Sequence, residues 1–284
     1  CQISIDREHE AYLQYYFPEI KRGLFLPLAG TSLWEEDTLP KWEERPYDVV
    51  FTGNYTPLSK FEPTIERHGK EYADFYYGII EDFKKHPHQG MDIGIREHLL
   101  SEVEDITEDG VKEMMPNMIM IDLYVRNYFR GKVVQTLVDA GVSVHCFGAG
   151  WEFLPCEHPE NLIKEGGVDS LACLQALSKA KVSLNVMPWF KDGAHDRVFN
   201  SMLNGAVCFT DWSRYLTENL RDGEDIFFYE LDALECLPDM VQGILENRKK
   251  WEHMQKAAYE TAEKSHTWEH RAGAVHKEIL SKIR

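Results

Sequence analysis

The sequence predicts an α/β protein: a doubly wound parallel sheet, with a helical insertion and a short leading segment. Three observations predict it. From residue 142 onward, short apolar runs alternate with helical patterns at the spacing of β-α units. The apolar runs are continuous rather than alternating, as in strands covered on both faces. Each run ends in glycine, proline or a charged residue, as strand-to-helix turns require.

Taken in order, residues 2–6 read as a strand, 8–17 as a helix and 23–28 as a second strand. Residues 29–46, with Gly30, Pro40 and Pro46, read as a linker. Tyr47-Asp48-Val49-Val50-Phe51-Thr52-Gly53-Asn54 is a buried strand running into a turn. Residues 58–116 are polar, helical in pattern and broken at Pro63, Pro87, Gly90, Gly110 and Pro116, which marks an insertion of about that length. A long helix over 118–140 follows, its apolar stripe formed by Ile121, Val125, Phe129, Val133, Val134 and Leu137. Further strands are expected over 142–148, 161–164, 182–188, 206–211 and 226–231. Helices are expected over 170–179, 196–204, 215–220, 238–246, 248–264 and 267–282. The expected division is a leading piece, 1–46, and a ligand-binding domain, 47–284.

Composition bounds the function. The 284 residues are 43% hydrophobic, enough for a packed core, and no apolar run approaches the length of a membrane span. A net charge of −17, from 48 acidic and 31 basic residues, repels nucleic acid. A small diphosphate remains compatible, because local cations and helix N-termini hold one against the global field. The six cysteines show no metal-ligand spacing, and reduced thiols in a cytoplasmic protein are expected. Cys1 in place of Met leads to the expectation of a trimmed fragment.

Parallel sheets bind ligands beyond the carboxyl ends of their strands, so the strand ends are the candidate sites. Gly53 and Asn54 form the first. The second is Gly148-Ala149-Gly150-Trp151, where the glycines allow close backbone approach and the indole either stacks on a ligand or packs on the sheet. The third, residues 187–200, is the richest. Lys191, Asp192, His195, Asp196, Arg197 and Asn200 there lie on a loop entering a helix. Asp196 is the expected N-cap. Arg197 in the first helical turn opposes the helix dipole, a placement best explained by an anion shared with the helix N-terminus. Asn200 sits one turn later on the same face. The fourth is Asp211, which either contacts ligand or caps the next helix. Arg126 and Arg130 share one helix face, where Arg130 is a phosphate contact or a solvated surface charge.

Residues 183–271 resemble the C-terminal domain of the spore-maturation CgeB-like glycosyltransferases, a bacterial-type family within the GT-B superfamily. The landmarks are Leu184-Asn185, Pro188, His195-x-Arg197-x-Phe199, Gly205 and Thr210-Asp211, then Gly223-Glu224-Asp225-Ile226, Tyr229 and His266-Thr267-Trp268-Glu269-His270-Arg271. Gly53-Asn54, Arg130 and Gly148-x-Gly150-Trp151 fit the same pattern. The resemblance implies a Rossmann-like domain that binds a nucleotide diphosphate sugar and transfers its sugar without a metal or cofactor. It also implies that 1–46 ends an acceptor-side domain. Gly53, Asn54, Arg130, Gly148, Gly150, Trp151, Lys191, His195, Arg197, Asn200 and Asp211 are then the nucleotide- and diphosphate-binding set, with His195 and Asp192 as the catalytic candidates. Many GT-B enzymes have Glu where Asn200 stands, and many retaining relatives have an acid where Gly193 stands. The alternatives are therefore an inactive nucleotide-binding module or a sugar-nucleotide epimerase. The acceptor, a glycan, lipid or protein, is not legible.

Overall fold

The computed structural model describes residues 2–283; Cys1, the residue behind the fragment expectation and one of the six thiols, lies outside them. The other five cysteines are free. The leading segment is β1 (Ile3–Ser4), α1 (Arg7–Tyr16) and β2 (Leu24–Phe25), its two strands paired in parallel apart from the main sheet. Asp6 caps α1, accepting from the Glu8 N–H at 2.8 Å. The stretch 29–46, expected to be a linker, is fastened to the sheet. Arg45 is buried and donates to the carbonyls of Pro40, Ala180 and Asn204. Burial pulls its pKa down to about 9.

The main sheet has six strands: β3 (Tyr47–Thr52), β4 (Val144–Phe147), β5 (Leu162–Gly166), β6 (Ala180–Asn185), β7 (Val207–Asp211) and β8 (Phe227–Tyr229). All pair in parallel, in the order β5-β4-β3-β6-β7-β8. Chain direction across the sheet thus reverses between β3 and β6, the doubly wound arrangement that composition and spacing predict. Val49 and Phe51 face one core together with Val182, Leu184, Val207 and Phe209. Val50 faces the opposite side, with Ala176, Leu177 and Ala206. Both faces are covered, which is why the strands read as unbroken apolar runs.

Between β3 and β4 lie α2 (Glu62–Glu66), α3 (Lys70–Lys85), α4 (Met91–Glu102), α5 (Glu108–Met114) and α6 (Ile119–Asp139). The insertion does not stand apart: Ile65, Tyr76, Ile79, Ile80, Phe83 and Leu99 join α6 and the sheet in one apolar core. The predicted stripe of α6 is buried along its length. After β5, β6 and β7 come α7 (Ser170–Ser178), α8 (Asp196–Leu203) and α9 (Arg214–Asn219). The chain closes with α10 (Leu237–Leu245), α11 (Arg248–Ser265) and α12 (Trp268–Ile283). No helix among the described residues is long and apolar enough to cross a membrane.

Candidate functional site

At the reversal of strand order the connections from β3 and β6 diverge to opposite faces, leaving a crevice over the two strand ends. A cavity of about 480 Å³ occupies it. Its floor is Thr52, Gly53 and Asn54 after β3, with Phe147 and Gly148 after β4. The first turn of α8 supplies His195, Asp196, Arg197 and Asn200, and Arg130 reaches in from α6. Thr31, Ser170, Cys173 and Trp268 complete the wall.

Arg197 sits at the centre. Its guanidinium donates to the Thr52 carbonyl and to the Val186 carbonyl, each at 3.2 Å, and so ties together the ends of β3 and β6. The residue is 7% exposed. Among the described residues no carboxylate is in ion-pair contact with it; the two carbonyl dipoles and the more distant charges of Asp196 and Asp211 balance it. Arg130 donates to the Asn54 carbonyl at 2.5 Å, and its Nε is buried with no hydrogen-bond partner. Burial, then the charges of Arg197 and Arg126, pull the Arg130 pKa down to about 9. Two guanidinium groups thus meet in one crevice of a protein whose net charge is −17, and the carboxylate of Asp196 lines the same crevice.

His195, not Asp196, is the N-cap of α8: its Nδ1 lies 3.2 Å from the Arg197 N–H. The expectation of Asp196 fails because a neutral ring nitrogen accepts that bond as an Asp oxygen would. Nδ1 also lies 2.6 Å from Asp196 Oδ1. The ring therefore has two settings, Nδ1 accepting from the backbone or donating to the carboxylate. Burial, then Arg197, push the His195 pKa down to about 4, leaving it neutral at pH 7. Burial raises the Asp196 carboxyl, but the His195 contact and Arg197 more than offset this and hold it below the usual range.

Other candidates are placed differently. Asn200 lines the cavity, but its Oδ1 already accepts from the Thr31 N–H at 2.8 Å and its amide nitrogen donates to Asp196. Trp151 is fully buried, stacked on Tyr55 with ring centroids 5.4 Å apart, and its indole N–H donates to the Gly53 carbonyl at 2.8 Å. It is core, not a stacking surface for a ligand. The two glycines before it serve the fold as well. A Cβ on Gly148 would stand 2.2 Å from the Gly53 carbonyl oxygen, and one on Gly150, at φ +90°, 1.9 Å from that of Tyr55. Lys191 faces away from the crevice and donates to the Pro87 carbonyl. Asp192 is buried between Arg7 and Arg214, 2.8 and 3.2 Å away. Asp211 accepts from the Met187 N–H at 2.7 Å, and burial pushes its pKa up to about 7. None of these three lines the crevice.

Sequence reasoning did not select Thr31, Thr52, Ser170 or Trp268. Trp268 carried a signal, since it lies in one of the landmark motifs, and at 48% exposed it offers a flat apolar face to the cavity. Thr31 carried none, because it falls in the stretch read as a linker. Among the described residues, His88, Glu230 and Asp232 bring potential ligand atoms within 4.8 Å of one another, and this group too lies outside the crevice. Chemically the crevice suits a polyanion of small size: paired guanidinium groups, a helix N-terminus and a neutral imidazole.

The profile of a family described as glycosyl transferase-like matches residues 130–277, from Arg130 to the last helix. No curated protein sequence matches significantly. Among solved structures, the chain is similar to sucrose-phosphate synthase of Thermosynechococcus elongatus, with a TM-score of 0.49 and 12% identity over 99% of this chain and 58% of that one. It is similar to HepE of Anabaena in complex with UDP and glucose, with a TM-score of 0.44 and 11% identity over 54% of this chain and 44% of that one. It is also similar to TarM of S. aureus, with a TM-score of 0.41 and 14% identity over 55% of this chain and 32% of that one. The chain thus spans less than half the length of HepE and of TarM.

Proposed function

The chain belongs to the glycosyl transferase-like family, and from that premise we propose that its crevice holds the diphosphate of a nucleotide diphosphate sugar whose sugar passes to an acceptor. One observation supports the reading above the others: among the described residues, Arg130 and Arg197 converge at the sheet's switch point without a carboxylate in ion-pair contact, and the Arg130 Nε is buried and unsatisfied. In the transfer, an acceptor hydroxyl oxygen bonds to the anomeric carbon, the bond from that carbon to the diphosphate oxygen breaks, charge grows on the leaving diphosphate, and the hydroxyl proton passes to the diphosphate or to solvent. Two fixed cations and the positive end of α8 stabilise that charge, and each well-placed donor of this kind contributes roughly 3–4 kcal/mol. The reading needs no metal, because the guanidinium groups supply the counter-charge. His195, neutral, is a donor to phosphate or sugar. Trp268 offers a face on which a base or sugar ring stacks. The finer placement among the CgeB-like enzymes and a cytoplasmic location belong to the same proposal.

Titration calorimetry with uridine, guanosine, adenosine and thymidine diphosphates tests it. One of them binds, and Arg130→Ala weakens that binding by about 1.5–3 kcal/mol, the worth of a charge-assisted hydrogen bond. Equal affinity in the variant removes the diphosphate from this crevice. A binding module without turnover is the second reading, favoured by the engagement of Asn200 Oδ1 with the Thr31 N–H. Binding with neither donor hydrolysis nor transfer selects it.

A further inference from the structure

The loop 188–197 has two faces, and only one looks into the crevice. On its other side lies a second cavity of about 270 Å³. Three parts of the chain build it: α1 of the leading segment, α4 and α6 with the turn between α5 and α6, and the loop itself through Trp189 and Lys191. The leading segment holds that loop in place. Asp6 Oδ2 accepts from the N–H groups of Lys191 and Asp192, both at 3.0 Å, and Arg7 pairs with Asp192.

Trp189 is the wall between the two cavities. It lines the second, while Arg130 and His195 of the crevice lie 5.8 and 6.1 Å from its ring. Arg126 lies 4.5 Å above the same ring and is paired with Asp122. The interior is divided by chemistry. Met91, Ile95, Met115, Met118 and Ile119 form an apolar wall. Glu8, Asp92 and Lys191 form a polar one. Among the described residues Glu8 and Asp92 are in no ion pair, and burial raises both carboxyls above their ordinary values.

We propose that this second cavity is the acceptor pocket, and that the acceptor is amphipathic, a hydroxyl-bearing head on an apolar body. Carboxylates beside an ammonium suit hydroxyls, which donate to the first and accept from the second. The near balance of the lining charges, Glu8, Asp92 and Asp122 against Arg126 and Lys191, gives a strongly ionic ligand no advantage. The methionine and isoleucine wall gives an apolar body a surface to bury, and the half-exposed Ile119 extends it to the rim. Trp189 sets such a head one side chain away from the donor crevice. The assignment as acceptor pocket rests on the donor reading above.

The test uses n-octyl β-D-glucopyranoside, below its micelle concentration, titrated into the wild-type protein and into Met91→Trp and Ile119→Glu. Met91→Trp fills the cavity. Ile119→Glu charges its rim at a half-exposed position and leaves the core intact. The wild type binds the probe and each variant binds it at least tenfold more weakly, while nucleoside diphosphate affinity stays unchanged in both. Probe binding that is absent, or equal in wild type and Ile119→Glu, overturns the pocket and leaves the donor reading standing. Probe binding in a protein that binds no nucleoside diphosphate overturns the acceptor role together with the donor reading.

Discussion

The turn after β4 and the loop after β6 look alike in sequence, each a strand end with glycine, an aromatic and freedom to meet a ligand. In the structure they do opposite things. Gly150 and Trp151 turn inward while Gly148 floors the crevice: each glycine clears a path for a neighbouring backbone, and the indole seals the core while satisfying the Gly53 carbonyl. The loop 188–197 is pinned from behind by Asp6 and presents side chains to two cavities. Glycine and tryptophan at a strand end therefore say little about ligands. Cations lacking formal counter-charge say much more.

Substitutions sharpen that contrast. Gly150→Ala places a side chain in left-handed backbone against a carbonyl oxygen, and Trp151→Ala empties a filled core site; each is expected to cost about 3–5 kcal/mol of stability. Chemical denaturation measures it, and a loss below about 1 kcal/mol would mean that this turn is not structural. Arg197→Ala acts on both counts. It orphans the Thr52 and Val186 carbonyls, costing about 1–3 kcal/mol of stability, and weakens nucleoside diphosphate binding as well. Full stability in that variant would separate Arg197 from the fold.

Behind α8, His266 stacks on Phe199 at 4.3 Å, and burial, with Arg271 and His270, pushes its pKa down to about 4. A histidine whose folded pKa lies below its unfolded value of 6.5 stabilises above that value and loses the contribution as pH falls toward 4. His266→Gln should flatten the pH dependence of unfolding in that window by up to ~1.4 kcal/mol per pH unit. An unaltered slope would show that the ring is protonated in place. The smallest effect is expected at Trp268→Ala, about 1 kcal/mol in nucleotide affinity and almost none in stability, since the residue is half exposed.

The sheet was legible because parallel strands buried on both sides leave continuous apolar runs, as at 47–52 and 207–211. Arg197 was legible for an equally local reason, a cation misplaced against its own helix dipole. Lys191 and Asp192 were not, because their partners stand far away in sequence: Pro87 for the first, Arg7 for the second. For Asn200 the place in the crevice was legible, but nothing near it announces that Thr31 returns to claim its carbonyl. Nor does composition show that Glu8, Asp92 and Met118 enclose one space. That depends on a leading segment folding back over an insertion, a contact between parts of the chain with no shared pattern.

Arg130 and Arg197 repel one another across the crevice, and part of the folding free energy goes into holding them there. A dianion that settles between them lifts that burden, so occupancy and heat resistance rise together. At a hundredfold excess over Kd the gain from such a ligand would be about 2.7 kcal/mol, so a rise in melting temperature on adding a nucleoside diphosphate would report binding there.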